Sequence, residues 1–356
     1  MNGNPLSVKD DADRAASGVS ANGNVFLRRV ENASLASAPA SGQNPRPCLA
    51  FPRPEMAGAD SARAVFYALG ANAAIAVAKY AAAAVTGSGS MAAEAVHSTA
   101  DCGNQLLLLL GLKRSKRAPD REHPLGFGKE TYFWSFIVAI MLFSMGGLFS
   151  LYEGVHKLFA LEPLSHPFIA LGVLAFSIAM ESASMAGALR EVRKLRGDAS
   201  LWSWFRSTRN SELAVVFAED LAALVGLALA FVAVLAAWLL DDPLYDALGS
   251  LAIGALLVVV AFAVGAQVKQ LLVGQGVEAP VRAAMVAHLE ADPAVASVLE
   301  LLTLHMGPEV MVAVKARMRE HASQAALVDA INDAEASFKA RFPQARWIFF
   351  EPDVRD

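Results

Sequence analysis

The chain has 356 residues, of which 55% are hydrophobic and 18% are charged, and its formal net charge at pH 7 is −4. This composition is too apolar for an ordinary soluble domain and predicts a membrane protein with several spanning segments. We expect no nucleic-acid partner, and the two cysteines are too few for a disulfide framework or a thiolate metal cluster.

Residues 1–60 are rich in Ala, Ser, Gly, Asn and Pro and show no apolar periodicity, which predicts a disordered tail. They lack the apolar core of a secretory signal peptide, and Asp10, Asp11 and Asp13 argue against a mitochondrial transit peptide. An organelle membrane stays open, although an Ala-rich chain without a clear transit peptide favours a bacterial inner membrane.

Six apolar segments follow within residues 61–270, and each is long enough to cross a bilayer. They cover about residues 63–86, 90–112, 131–156, 166–188, 213–240 and 244–268. The loops after the second and the fourth segment are rich in Lys and Arg. Because basic loops stay on the cytoplasmic side, the sequence predicts a bundle of six transmembrane helices with both termini in the cytoplasm.

Residues 271–356 have the pattern of a small soluble domain. Helical spacing at 278–291 and 325–341 alternates with strand patterns at 295–305, 310–319 and 345–350. The order αββαβ predicts an open α+β sandwich of the ferredoxin-like kind, with both helices on one face of the sheet. Such a module rarely performs chemistry by itself and often dimerises.

Ionisable side chains interrupt the apolar segments. His97 and Asp101 lie four residues apart in the second segment, Glu181 lies in the fourth, and Glu219 and Asp220 lie in the fifth. A helix places residues i and i+4 on one face, so an imidazole and a carboxylate at that spacing can reach one cation. Each charge at membrane depth costs about 2.5–3.5 kcal/mol, so we expect these side chains to converge on a cation or on shared protons.

One imidazole with several carboxylates favours a divalent metal ion, Zn²⁺ above all, in a four-coordinate site. The same groups take up protons when the metal leaves, which is the chemical basis of an antiporter. Two other interpretations stay open from the residues alone: a buried cluster of protonated carboxyl groups, and a polar patch that joins neighbouring helices. We find no nucleophile and no Gly-rich loop in the sequence that would indicate an enzyme.

Lys79 and Glu153 also lie in the apolar segments. Lys79, in the first segment, can either extend its ammonium group to the interface or pair with a carboxylate. Glu153, close to the end of the third segment, is expected at the outer interface.

The whole pattern resembles the cation diffusion facilitators, and within them the branch of the human mitochondrial zinc transporter and its bacterial relatives. The resemblance runs from about residue 62 to the end. It rests on the motifs His97-Ser-Thr-Ala-Asp101-x-x-Asn104-Gln105, Arg114-Ser-Lys-Arg117, Pro119-Asp120-x-x-His123-Pro-x-Gly126, Gly128-Lys129-Glu130 with Trp134, and Glu219-Asp220-x-Ala-Ala.

The resemblance implies a homodimer in the lipid bilayer that exports Zn²⁺ or a related divalent cation from the cytoplasm in exchange for protons. It implies neither a prosthetic group nor an enzymatic activity. In the family, two residues of the second helix and two of the fifth, four apart, form a tetrahedral transport site. His97, Asp101 and Asp220 match three of these positions, but Val216 stands at the fourth and cannot bind metal.

Two residues are candidates for the missing ligand. Glu219 is adjacent to Asp220 but about 100° around the helix, and Glu181 belongs to the fourth segment. A more oxygen-rich site would also admit Mn²⁺, Fe²⁺ or Co²⁺. A membrane-anchored metal sensor or partner subunit that does not transport is the alternative function, and Val216 is its main support.

Many relatives hold a second metal ion in the loop between the second and third helices. Asp120 and His123 match that pattern, but the later histidine is Phe127, so the resemblance implies a weak or vestigial site. In the soluble domain His305 is isolated, and Lys315 stands where a strand histidine would be. This domain is therefore expected to dimerise without binding metal tightly.

Overall fold

The computed structural model describes residues 54–86, 89–161 and 166–355. Residues 1–53 of the predicted tail lie outside the described residues. The rest of the predicted tail, residues 54–60, belongs to the first helix, which begins at Pro54. The side chains of residues 54–61, 86, 89–94, 96 and 97 also lie outside the description.

The described part of the membrane region is helical. Its helices are α1 (Pro54–Thr86), α2 (Gly89–Ser115), α3 (Glu130–Phe159), α4 (Pro167–Arg196), α5 (Leu201–Ser207), α6 (Ser211–Leu240) and α7 (Leu244–Val273). Five of them, α1, α3, α4, α6 and α7, are long and apolar enough to cross a membrane. The protein is therefore a multi-pass membrane protein, and five of the six predicted segments are confirmed. The second predicted segment is the 27-residue helix α2, in which polar side chains are more frequent.

Helix α3 changes its winding halfway along its length. An α-helical part, a π-helical part and a second α-helical part cover Glu130–Met141, Leu142–Leu148 and Phe149–Phe159. In the π-helical part, a Cβ atom on Gly147 would come within 2.7 Å of Val258 Cγ2 on α7. The glycine therefore lets α3 and α7 pack backbone against side chain at this point.

The start of α6 is held by a side-chain cap. The side-chain oxygen of Asn210 accepts a hydrogen bond from the backbone N–H of Leu213 at 3.1 Å. An N-cap of this kind satisfies one of the free amides of the first turn. The cap also fixes the residue at which α6 begins. Glu219 and Asp220 follow nine and ten residues after it.

The C-terminal part contains a three-stranded sheet and two helices in the predicted order αββαβ. The elements are α8 (Ala279–Glu290), β1 (Val295–Met306), β2 (Glu309–Met318), α9 (Gln324–Arg341) and β3 (Ala345–Pro352). The strand order is β1-β2-β3, with β1 antiparallel and β3 parallel to the central strand β2. Alternate residues of β2 (Val310, Val312 and Val314) are buried, and they join one core with Met285 of α8 and Phe338 of α9.

The turn between β1 and β2 contacts the beginning of α3. Gly307 in this turn has φ of +80°, a conformation that favours glycine. Its carbonyl oxygen accepts a hydrogen bond from the hydroxyl of Tyr132 at 3.1 Å. A second link is made by Arg209, whose Nε donates to the carbonyl oxygen of Gly276 at 3.2 Å. The C-terminal part is therefore bonded to the same end of the helices as the basic loops.

Candidate functional site

Five acidic side chains are buried among the described residues of the helical part, and three of them are candidates from the sequence. Glu181 of α4 and Glu219 and Asp220 of α6 are 2%, 6% and 1% exposed. Carboxyl groups are rarely buried this deeply unless hydrogen bonds or counterions compensate for the lost hydration. Their surroundings therefore indicate what they can bind.

Glu219 is held by two amide side chains of α2. Asn104 Nδ2 donates to Glu219 Oε1 at 3.1 Å, and Gln105 Nε2 donates to Glu219 Oε2 at 2.7 Å. Gln105 is fully buried and Asn104 nearly so. Both oxygens of Glu219 are thus already used in joining α6 to α2.

Asp220 keeps one oxygen unused. Its Oδ2 accepts a hydrogen bond from Ser184 Oγ of α4 at 2.8 Å, whereas Oδ1 is buried and has no hydrogen-bond partner among the described residues. The side-chain oxygens of Asn104 and Gln105 are also buried without such a partner in the described part of the chain. Burying oxygens that receive no hydrogen bond is costly, and such oxygens are suited to coordinate a cation.

A cavity of about 300 Å³ adjoins these groups. Asp101, Glu181 and Glu219 line it together with Lys79. Glu181 is within electrostatic range of Asp101, Glu219 and Asp220 and of the ammonium group of Lys79. The carboxylates predicted from the sequence to converge do therefore lie in one region. Lys79 is buried beside them rather than extended to the interface.

The backbone of His97 belongs to α2, four residues before Asp101, so the two residues share a helix face as the spacing predicts. The side chain of His97 lies outside the described part. Among the described side chains, no group of three or more His, Cys, Asp or Glu residues is arranged to hold a metal ion. Whether His97 completes such a group stays a prediction.

Val216 lies one helical turn before Asp220 and is completely buried. It belongs to a hydrophobic core that also contains Leu108 of α2, Val264 of α7 and Trp204 of α5. An apolar side chain therefore occupies the position where the resemblance implies a fourth ligand, and it packs as part of the core.

In the loop before α3, Asp120 and His123 make a compact turn. Asp120 Oδ1 accepts a hydrogen bond from the backbone N–H of His123 at 2.6 Å and lies 3.2 Å from His123 Nδ1. The first of these bonds is the main reason that the pKa of Asp120 lies below its usual value. The His123 ring also packs against Phe127, with ring centres 4.4 Å apart. Both residues have structural roles here, and a weak metal site at this pair stays a prediction.

In the C-terminal part, His305 and Lys315 have structural contacts. Burial lowers the pKa of His305 to about 4, so its imidazole is neutral at pH 7. Its Nδ1 lies 3.4 Å from the carbonyl oxygen of Gly307 in the turn that contacts α3. Lys315 Nζ forms an ion pair with Asp353 Oδ2 at 3.1 Å. These contacts give both residues structural roles in the C-terminal part.

The amino-acid sequence that carries these helices and buried carboxylates can be compared with known protein families. Residues 65–273 match the cation efflux transmembrane domain. The chain belongs to the cation efflux family. This family is the one that the sequence motifs indicate, under its other name of cation diffusion facilitators.

The chain is also similar to several known proteins. The mitochondrial proton-coupled zinc antiporter SLC30A9 of Xenopus laevis is 36% identical over 225 residues, which are 62% of this chain and 40% of that protein. SLC30A9 of Homo sapiens is 34% identical over 226 residues, 62% of this chain and 39% of that protein. Metal tolerance protein C4 of Arabidopsis thaliana is 32% identical over 218 residues, which are 61% of this chain and 48% of that protein. This chain thus matches less than half the length of each relative.

Sequence reasoning singled out the carboxylates but gave no role to the residues that hold them. Gln105 and Ser184 carry the hydrogen bonds to Glu219 and Asp220. Helical spacing could have suggested Ser184, because it lies three residues after Glu181 and therefore on the same face of α4.

Proposed function

We propose that this cation efflux protein is a transporter, and not an enzyme, which exports Zn²⁺ or a related divalent cation from the cytoplasm in exchange for protons. The observation that carries the proposal is the buried Asp220, whose Oδ1 lacks a hydrogen-bond partner among the described residues. It lies within electrostatic range of Glu181, which lines the cavity. The zinc and proton specificity are supported by the names of the relatives from Xenopus laevis and Homo sapiens.

The proposed ligands are His97, Asp101 and Asp220, with Glu181 as the fourth. Two observations favour Glu181 over Glu219. Both oxygens of Glu219 already accept hydrogen bonds from amides of α2. Glu181 lies one turn before Ser184, the residue that holds Asp220, and so faces the same side of α4. A set of one imidazole and three carboxylates would bind Zn²⁺ and would also admit Mn²⁺, Fe²⁺ or Co²⁺.

Protons would drive release of the metal from this site. Imidazole and carboxylate must be deprotonated to bind a metal ion, so protons that arrive from the opposite side compete with the metal and weaken its binding. Lys79 lines the same cavity, and its positive charge offsets part of the negative charge of the carboxylates. Rocking of α1, α2, α4 and α6 against α3 and α7 would expose the site to each side in turn.

The lining of the cavity supports release at the side away from the basic loops. From Glu181 and Glu219 it reaches Lys157, near the end of α3, and Asp246, in the first turn of α7. Those positions adjoin the connections between α3 and α4 and between α6 and α7, which are not basic. The described conformation therefore suits the releasing state.

The finer architecture is also part of the proposal. Helix α2 would be a sixth span, because it packs between α1 and α3 and its amides face Glu219 in the interior. Residues 61–270 would form the membrane domain and 271–356 a ferredoxin-like domain that supports a homodimer. The protein would lie in the inner membrane of a bacterium, with both termini in the cytoplasm. The mitochondrial names of two relatives make a mitochondrial membrane the alternative.

A metal sensor or partner subunit that binds metal without transporting it is the second candidate. The fully buried Val216 favours it, because the helix position that the family uses for a ligand is filled by an apolar side chain. Binding without flux would distinguish the sensor from the transporter.

Flux through proteoliposomes tests the proposal. The purified protein is reconstituted in vesicles loaded with a metal-sensitive dye, and Zn²⁺, Mn²⁺, Fe²⁺ or Co²⁺ is added under an imposed pH gradient. Asp220→Asn keeps the shape of the side chain and removes its charge, so we expect Zn²⁺ flux to fall by at least about 100-fold. Asp241→Asn, at the exposed end of the same helix, is the matched control and should transport like the wild type.

Two comparisons complete this test. Glu181→Gln should abolish Zn²⁺ flux, whereas Glu219→Gln should keep part of it, because a glutamine can still pair with the amides of α2. Full flux in Asp220→Asn would show that the site is misplaced. Tight Zn²⁺ binding by the wild type without flux of any metal would favour the sensor.

A further inference from the structure

Lys157, two residues before the end of α3, joins charged groups of two helices. Its Nζ lies 3.2 Å from Glu153 Oε1, one turn earlier on α3, and 2.9 Å from Asp246 Oδ2 on α7. It also donates a hydrogen bond to Ser250 Oγ at 3.2 Å. We call these four residues the mouth cluster. Its charged side chains are partly exposed, between 22% and 33%.

The mouth cluster lines the same cavity as the buried carboxylates. Glu153, Lys157, Asp246 and Ser250 are all part of its wall, together with Glu181 deeper inside. The cluster lies at the end of the helices that is opposite the basic loops. A cation that moves between Glu181 and that side of the membrane must therefore pass these charges.

Close backbone packing also holds these two helices together. A Cβ atom on Gly154 of α3 would lie 2.8 Å from Leu251 N of α7, and a Cβ atom on Gly254 of α7 would lie 2.7 Å from Leu151 N of α3. Backbones packed this closely already hold the two helices in contact. Partly exposed ion pairs add little to such a contact, so stability alone does not account for the cluster.

We propose that the mouth cluster is a charge filter on the release path, an inference that rests on the proposed transport function. Two carboxylates and one ammonium leave a net charge of −1, which attracts a departing cation. The tethered ammonium of Lys157 occupies the position between the carboxylates, so a divalent ion is not retained there. Without Lys157 the mouth would carry −2 and would trap divalent ions, and without both carboxylates it would carry +1 and would repel them.

Thiol modification inside the cavity measures the filter without requiring transport. Cys48 and Cys102 are replaced by alanine, and Ala230→Cys on the cavity wall is the reporter. The protein in lipid nanodiscs is treated with a cationic or an anionic methanethiosulfonate of similar size, and the ratio of the two labelling rates is recorded. Lys157→Met makes the mouth more negative, and Glu153→Gln combined with Asp246→Asn makes it positive.

The charge of the mouth sets the expected ratios. One unit charge about 7 Å away through water changes the rate of each reagent about two- to threefold in opposite directions, so the ratio changes about four- to ninefold. Lys157→Met should raise the cationic-to-anionic ratio by that factor, and the double variant should lower it by about the square of it. High salt should reduce both effects. Lys269→Met removes the same charge at the other end of α7 and should leave the ratio unchanged.

Two outcomes would overturn the proposal. If Lys157→Met changes the rates of both reagents equally, the cluster only stabilises the contact between α3 and α7. If the Ala230→Cys thiol reacts with neither reagent, the cavity does not communicate with the mouth. Labelling of the Ala230→Cys reporter as expected, together with no metal flux in the wild type, would instead contradict the proposed transport function, so the two failures are distinguishable.

Discussion

An alanine at Gly128 would separate the turn between β1 and β2 from the start of α3. The added Cβ would lie 1.8 Å from the carbonyl oxygen of Met306 and 2.6 Å from its carbonyl carbon, and neither atom can rotate away. Ordinary contact begins at 3.4 Å, so the turn would have to retreat by about 1.6 Å. That movement would also break the 3.1 Å hydrogen bond from Tyr132 to Gly307.

The cost can be worked out from these two effects. Overpacking costs about 1–3 kcal/mol and the lost hydrogen bond about 1 kcal/mol, so Gly128→Ala should weaken the contact by about 2–4 kcal/mol. Hydrogen–deuterium exchange of the amides between His305 and Glu309 measures it, and we expect exchange to be faster by about 30- to 1,000-fold.

A matched glycine serves as the control for this exchange experiment. Gly172 of α4 would place its added Cβ within 4 Å of no other atom among the described residues. Gly172→Ala should therefore leave exchange in the turn unchanged. Equal exchange in Gly128→Ala and Gly172→Ala would show that the turn is not held against α3.

The C-terminal core and its buried histidine give two further predictions. Phe338→Ala removes a fully buried ring and should destabilise this part by about 3–5 kcal/mol. Val328→Ala at an exposed position of the same helix should change stability by less than about 0.5 kcal/mol, with thermal unfolding in detergent as the measurement. Burial lowers the pKa of His305 to about 4, so the folded state binds fewer protons than the unfolded one. Stability present above about pH 6.5 should therefore fall by about 2–3 kcal/mol as the pH drops towards 4. His305→Gln should flatten that decline, and an equally steep decline in this variant would contradict the assignment.

The sequence predicted most of the secondary structure because apolar length and periodicity are local properties. Five spanning helices and the αββαβ order follow from runs and alternations that each lie within one segment. The second segment was predicted as a span like the others, but helix α2 is not among these five, since its polar residues lower its mean hydropathy.

The candidate site was only partly predictable. Helical spacing alone placed His97 and Asp101 on one face. The pairing of Glu219 with Asn104 and Gln105 joins residues more than 100 positions apart, and it depends on how α2 packs against α6. No local pattern contains that information.

Glu153 shows the same limit at the end of the bundle. Its position near the end of the third segment predicted a place at the outer interface. The structure adds that it shares Lys157 with Asp246, 93 residues further along the chain, and that all three line the cavity. Charged partners on different helices become visible only when the packing of α3 against α7 is known.

The π-helical part of α3 determines which way the mouth cluster faces. A π-helical turn holds more residues than an α-helical turn, so Leu142–Leu148 sets the angular phase between the two α-helical halves of α3. Loss of a single residue from this part would turn the second half by about 100° relative to the first. Lys157 would then point away from Asp246, while the first half of the helix stayed in place. The number of residues in this short stretch therefore sets the orientation of the charges at one end of the path relative to the carboxylates at its centre.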